Sequence, residues 1–258
     1  MKKVLFLFLF AMSFFGVFLN ASSLYERLIN KETISVGTEG IYPPFTYHNK
    51  EGKLTGYDVE VARELAKELG VEIKFHETSW DIMLTGLKSG RFDMVANQVS
   101  LTTKKRQATF DKSLPYSYSG TIMLVRKDEK CIKDIKDIKG LRAANTLSST
   151  YGEIASKYDA QIVSVDSMAQ ALLLVAQKRA DLTLNSSLAI LNYLNTHKNN
   201  PFKIAWESKE KDGGASFVIN KHQEKALELI NQAMQRLIDK GVLKRLSEQF
   251  FGKDVSQP

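Results

Sequence analysis

The chain has 258 residues, 43% of them hydrophobic and 25% charged, a balance that describes a globular protein. Its single cysteine excludes an internal disulfide whatever the redox compartment. The formal charge of +7 is spread among acidic residues, as in Lys209-Glu210-Lys211-Asp212, so it serves solubility and no nucleic-acid partner is expected.

Met1-Lys2-Lys3 precedes an apolar run over 4–19, which ends at Asn20-Ala21-Ser22-Ser23. A basic start, a short apolar core and a small residue before polar sequence predict a secretory signal peptide over 1–21, cleaved after Ala21. The run falls short of the ~20 apolar residues that a spanning helix needs. No cysteine closes it, so a lipid anchor on a mature N-terminal cysteine is excluded. Cys131 lies in a lysine-rich stretch, 127–133, that reads as an exposed connection, and it is taken as incidental.

Beyond the leader, short apolar strands are expected over 34–37, 71–75, 92–97, 141–145, 161–165 and 181–185. Helical periods fall between them, at 81–87, 167–177 and 224–237, which predicts an α/β architecture. The clearest helix follows Gly56. Val59, Ala62, Leu65, Ala66 and Leu69 line one face, Glu60–Arg63 and Glu64–Lys67 can pair on the other, and Asp58 is the expected N-cap. A faint internal repeat joins Arg91-Phe92-Asp93-Met94-Val95-Ala96-Asn97 to Arg179-Ala180-Asp181-Leu182-Thr183-Leu184-Asn185. Both fit the frame Arg-x-Asp-apolar-x-apolar-Asn after an amphipathic helix, so they read as equivalent strands of two lobes.

Ligands of open α/β sheets bind beyond the carboxyl ends of the strands. The first candidates are therefore Gln98, Val99 and Ser100 after one strand, and Ser186 and Ser187 after the other. Arg106 can grip a carboxylate through two parallel hydrogen bonds, which neighbouring Lys105 cannot reproduce, although Lys-Lys-Arg also suits a solvated face. Ser149, Thr150 and Tyr151 precede or open a helix whose free N–H groups can hold an anion; plain capping by either hydroxyl is compatible with that. Four histidines, His48, His76, His197 and His222, are scattered and suggest no metal centre.

Three segments in fixed order carry a resemblance: Tyr42-Pro43-Pro44-Phe45, then Gly56-Tyr57-Asp58-Val59-Glu60-Val61-Ala62-Arg63-Glu64-Leu65, then Phe110-Asp111-Lys112-Ser113-Leu114-Pro115-Tyr116. From about Thr33 to Val255 the chain resembles the polar amino-acid-binding proteins that serve bacterial ABC importers, the extracellular solute-binding proteins of family 3. The resemblance implies a periplasmic-binding-protein-like type II fold, two Rossmann-like lobes joined by a two-segment hinge. Lobe one would hold 22–116 and 217–258, lobe two 117–216, with hinge segments near 117–121 and 213–217.

The resemblance also implies roles. Arg106 stands where the family has its carboxylate-binding arginine, with Ser100 or Thr102 as the hydroxyl donor across a spacing one residue longer than usual. Tyr42 and Trp80 stand where relatives carry aromatics against the ligand, and Glu39 beside them could meet an ammonium group. Ser186 stands where relatives usually place an aspartate for the ligand's α-ammonium. Asn97-Gln98-Val99 and Arg106-Gln107-Ala108-Thr109-Phe110-Asp111-Lys112-Ser113 resemble the cystine-binding branch.

The function implied is a periplasmic, unlipidated, monomeric binding protein without cofactor. It would deliver a polar amino acid, L-cystine or cysteine first, to the membrane subunits of an ABC importer. Two alternatives on the same scaffold are a cyclohexadienyl dehydratase-like enzyme, for which Glu39 is the only candidate acid, and a surface adhesin.

Overall fold

The computed structural model describes residues 22–258, so the expected leader lies outside the described residues. α1 (Leu24–Asn30) opens on a capping box. The Ser23 hydroxyl accepts the Glu26 N–H, and the Glu26 carboxylate accepts the Ser23 N–H. Then come β1 (Ile34–Thr38), β2 (Ile41–Tyr42), β3 (Thr46–His48), β4 (Leu54–Thr55), α2 (Tyr57–Leu69), β5 (Ile73–Glu77), α3 (Trp80–Lys88), β6 (Met94–Val95), α4 (Lys104–Thr109) and β7 (Phe110–Lys112).

The chain then runs through β8 (Thr121–Arg126), a turn of 3-10 helix (Ile135–Ile138), β9 (Arg142–Asn145), α5 (Thr150–Lys157), β10 (Gln161–Ser164), α6 (Met168–Ala176), β11 (Leu182–Ser186), α7 (Ser187–Thr196) and β12 (Phe202–Glu207). It ends with β13 (Val218–Asn220), α8 (Glu224–Asp239) and α9 (Val242–Phe251).

Two five-stranded sheets result, ordered β5-β1-β6-β13-β7 and β10-β9-β11-β8-β12, beside a small β2-β3-β4 meander. In each, three neighbouring strands run parallel and an antiparallel strand follows: β13 beside β6, and β8 beside β11. The repeated frame explains part of this likeness. Asp93 N–H donates to Ser35 C=O and its carboxylate accepts the Ser35 N–H. Asp181 does the same with Arg142, donating to its C=O and accepting its N–H. Each aspartate thus pins the start of the parallel neighbour and sets its register.

On α2 the five expected apolar residues are all buried, and Ala62, Leu65, Ala66 and Leu69 pack in one core with Ile230, Met234 and Leu237 of α8 and Leu243 and Leu246 of α9. Both ion pairs form on the outer face. At ~0.3–0.5 kcal/mol each, the pairs are outweighed by burial of Leu65 alone at ~1.5–3 kcal/mol. The expected N-cap is corrected. Gly56 takes that place at φ 120°, and Asp58 lies two residues inside the helix, wholly buried. Its carboxylate accepts the Gln98 N–H at 2.5 Å, Gln98 Nε2 at 2.7 Å and the Tyr116 hydroxyl at 3.0 Å. Those donors come from a strand end far along the chain, which a local capping pattern cannot reveal.

The chain passes from the first sheet to the second between β7 and β8, and returns between β12 and β13. The two crossings lie side by side. Tyr116 N–H donates to Ala215 C=O at 2.9 Å and Ala215 N–H to Ser117 C=O at 2.8 Å. The C-terminal tail joins them where Tyr118 N–H donates to Val255 C=O at 2.8 Å.

Candidate ligand-binding cleft

A cleft of about 600 Å³ opens between the carboxyl ends of the two sheets' strands, within the range of small-molecule sites. One wall comes from the first sheet. Glu39 follows β1, Tyr42 lies in β2, Trp80 opens α3, and Gln98 and Ser100 follow β6. Gln98 is held at φ 51°, a conformation costly for a residue with a side chain, and its bonds to Asp58 hold it there.

Arg106 stands on α4 among exposed neighbours. Lys104, Lys105 and Gln107 face solvent while the Arg106 side chain is buried, so of three consecutive cations one turns inward. The Thr103 hydroxyl caps the helix by accepting the Arg106 N–H at 3.3 Å. The guanidinium lies 5.7 Å from the Trp80 ring, a cation–π contact, and donates to Ser100 C=O at 3.2 Å. Burial lowers its pKa and the Glu153 charge opposes that shift, and the guanidinium remains a cation. The Trp80 indole N–H is buried with no hydrogen-bond partner among the described residues.

The opposite wall belongs to the second sheet. Ser149 caps α5, its hydroxyl accepting the Gly152 N–H at 3.0 Å, and Thr150 and Tyr151 supply the first helical positions. Gly152 sits close enough that a Cβ there would meet Thr146 O at 2.7 Å, which keeps this turn tight. Asn185 stands at the end of β11, and Asp212 enters from the second crossing.

Several bonds clasp one wall to the other. Arg106 Nη1 donates to Thr150 Oγ1 at 3.0 Å and Nη2 donates to Ser148 C=O. Asp81 Oδ1 accepts the Ser148 hydroxyl at 2.6 Å, the Tyr42 hydroxyl donates to Asn185 Oδ1 at 2.6 Å, and the Thr102 and Thr150 hydroxyls lie 3.5 Å apart. Side chains from both sides thus close over the cleft.

Ten of the twelve expected residues line this cleft: Glu39, Tyr42, Trp80, Gln98, Ser100 and Thr102 on one side, with Arg106, and Ser149, Thr150 and Tyr151 opposite. Two side chains do not, and these expectations are corrected. Val99 packs in the apolar cluster of Met83, Leu87 and Phe92, because the turn at Gln98, past the end of β6, directs the next side chain into the core. Ser186 is wholly buried and donates to Ser119 Oγ at 3.1 Å; the preceding residue, Asn185, faces the cleft instead. Sequence reasoning missed Asp212. The adjacent Gly213-Gly214 pair marked the crossing, but nothing local tells that the crossing borders the cleft.

Asn97 and Asn185, the last residues of the repeated frame, take matching posts. Asn97 Oδ1 accepts the Glu39 N–H at 2.8 Å and its Nδ2 donates to Glu39 Oε2 at 2.6 Å, while Asn185 holds Tyr42. Burial pushes the Glu39 carboxyl up to about 7; the Asn97 bond opposes this and the Asp81 charge adds to it. No cluster of His, Cys, Asp and Glu suited to a metal ion occurs among the described residues.

Residues 34–253 match the profile of the bacterial extracellular solute-binding proteins, family 3. The chain belongs to this family. It is 43% identical to the L-cystine-binding protein TcyA of Bacillus subtilis over 91% of this chain and 87% of that protein. Among solved structures, the L-cystine solute receptor of Neisseria gonorrhoeae in its unliganded open conformation is 53% identical, covers 92% of this chain and all of its own, and superposes with a TM-score of 0.63. An ancestral arginine-binding protein bound to arginine is only 28% identical, over 85% of this chain and 98% of its own, yet reaches 0.79.

The fold is therefore the periplasmic-binding-protein type II fold, with its two mixed five-stranded sheets. Identity and overlap rank these two structures in opposite order. The first is described as unliganded and open, the second as bound to arginine.

Proposed function

We propose that this family-3 protein is the exported binding component of an amino-acid ABC importer and that its ligand is L-cystine. The observation that carries the reading is Arg106, the one of three consecutive cations that turns inward, set in a closable cleft against the N-terminus of α5. A guanidinium and a row of helix N–H groups converge on a carboxylate, and the α-carboxylate of an amino acid meets both. Cystine is favoured by the relatives described as L-cystine proteins. Tyr42 and Trp80 then cover the sulfur-bearing middle of the ligand, and Glu39 meets its distal ammonium. Calorimetry on ligand-free refolded protein, titrated with L-cystine and each common amino acid, tests the assignment; absence of cystine binding with binding of another amino acid would overturn it.

As a member of a solute-binding family the chain transports rather than transforms its ligand. The leader over 1–21, without a cysteine at its end, supports a periplasmic and unlipidated protein. The two sheets support two lobes, divided near 117 and 216, that rotate about the paired crossings. Small-angle scattering should show a smaller radius of gyration for the monomer at saturating ligand than without it. Superimposable profiles would sink the clamp.

Glu39 gives the reading a pH signature. A ligand cation binds the ionised carboxylate, and this group is ionised only above about 7. Affinity should rise as pH increases from 6 to 8, with release of up to one proton per ligand near pH 7. The stability of the ligand-free protein runs the other way. A carboxyl raised above its ordinary 4.5 contributes stability that is full below that value and is lost as pH rises through about 7. Calorimetry in buffers of differing ionisation enthalpy should detect the proton in the wild type and not in Glu39→Gln.

A further inference from the structure

The second crossing places on the cleft a carboxylate that forms no ion pair among the described residues. Asp212 lines the cavity, half-buried, just before Gly213-Gly214. One oxygen, Oδ1, accepts the Gly214 N–H at 3.0 Å, which closes a turn. Its backbone N–H donates to Ser119 C=O at 2.8 Å. The nearby cation Lys112 does not engage the carboxylate; its Nζ donates to Gly213 C=O at 3.4 Å. Burial raises the Asp212 pKa, opposed by the Gly214 N–H, by the N–H and hydroxyl of Ser119 and by the Lys112 charge. A half-buried carboxylate with one oxygen committed to a turn is suited to a cationic partner supplied from the cleft.

Its position identifies that partner. Ser119 links Asp212 to the end of β11, because Ser119 Oγ accepts the Ser186 hydroxyl at 3.1 Å. Burial raises the Tyr151 pKa and the Asp212 charge adds to it, and Tyr151 follows Thr150, which holds the Arg106 guanidinium. Asp212, Tyr151 and Arg106 line one cleft, Asp212 from the crossing and Tyr151 from the α5 terminus that Arg106 engages. An α-amino acid carries its ammonium one carbon from its carboxylate. With the carboxylate at Arg106 and α5, the adjoining ammonium is directed to this corner.

Resting on the amino-acid reading above, we propose that Asp212 is the acceptor for the ligand's α-ammonium, a site supplied by the crossing rather than by a strand end. The carboxylate comes from the segment on which the lobes turn, so occupation of the site couples recognition to closure. Ser186, buried behind Ser119, is left without contact to the ligand.

The test is calorimetry of Asp212→Asn beside Glu207→Gln, an exposed charge removal in the neighbouring strand outside the cleft. Asparagine retains the oxygen that accepts the Gly214 N–H and loses only the charge. Asp212→Asn should weaken L-cystine roughly 10- to 150-fold, the range of a charge-assisted hydrogen bond, while Glu207→Gln stays within about threefold and both ligand-free thermal midpoints stay within ~3 °C of wild type. Equal affinities of Asp212→Asn and wild type would overturn the proposal. So would equal losses in both variants, or a fall of the Asp212→Asn midpoint beyond that margin, which would assign the side chain to the turn. Should the wild type bind another α-amino acid and not cystine, the cystine assignment fails, and the same ratio read with that amino acid still decides the role of Asp212. A wild type that binds only ligands lacking an α-ammonium overturns both.

Discussion

Arg106→Ala should abolish measurable ligand binding while leaving a folded protein. The guanidinium is buried and already makes three bonds that organise the closed cleft, to Ser100 C=O, Thr150 Oγ1 and Ser148 C=O. Truncating one partner of a buried, hydrogen-bonded charge pair costs about 2–5 kcal/mol, a loss of roughly 30- to 5,000-fold in affinity. Arg106→Lys should recover little, since one ammonium cannot reproduce the planar fork or the stack on Trp80. The ligand-free midpoint should change little, because burial of the cation is itself unfavourable and its removal relieves that cost. Lys105→Ala, one position away and exposed, serves as the control and should bind normally. Calorimetry of the three variants decides the matter; normal binding by Arg106→Ala would remove the carboxylate anchor from the cleft.

The largest stability effect is expected from Gly56→Ala. Gly56 has φ 120° and ψ 166°, a region open essentially to glycine alone. A Cβ there would stand 2.3 Å from Phe45 O and 2.4 Å from Phe45 C, backbone atoms that cannot rotate away. Those atoms are also structural, since Phe45 C=O accepts the Asp58 N–H at 3.0 Å and Pro44 C=O the Tyr57 N–H at 2.9 Å. Strain and clash together should cost at least ~3 kcal/mol, a fall of about 6–12 °C in the thermal midpoint for a chain of this size. Gly90→Ala makes the comparison, because a Cβ there meets nothing and only its φ of 73° is strained; it should cost about 1 kcal/mol. Binding should weaken in Gly56→Ala as well. The displaced helix start carries Asp58, and Asp58 holds Gln98 on the cleft wall. Equal midpoints for the two variants, read by calorimetric melting, would refute the steric argument.

Much of this architecture was legible along the chain. The helices at Tyr57–Leu69, Met168–Ala176 and Glu224–Asp239 follow from apolar residues recurring every three or four positions, and the strands at Arg142–Asn145 and Gln161–Ser164 from short apolar runs. Both signals are local, so no knowledge of neighbours is needed to read them. The repeated Arg-x-Asp frame was readable for the same reason, and its aspartates pin two parallel strand pairs. Arg106 stood out because its residue type, its spacing to Phe110-Asp111 and the family resemblance agreed.

The sequence by itself determined the family, the order of elements and the stretches that border the cleft. Only the tertiary structure decided which side chains face it. Along β11 successive residues point to opposite sides, so one position separates Asn185 in the cleft from Ser186 behind it, and past the end of β6 the turn at Gln98 leaves that side chain in the cleft and Val99 in the core. Asp58 looked like a cap because its partner Gln98 lies 40 residues away. Asp212 carried no signal at all. A carboxylate before two glycines is ordinary turn chemistry, and it borders a ligand only because the returning crossing is hydrogen-bonded beside the outgoing one, an arrangement set by contacts between distant parts of the chain.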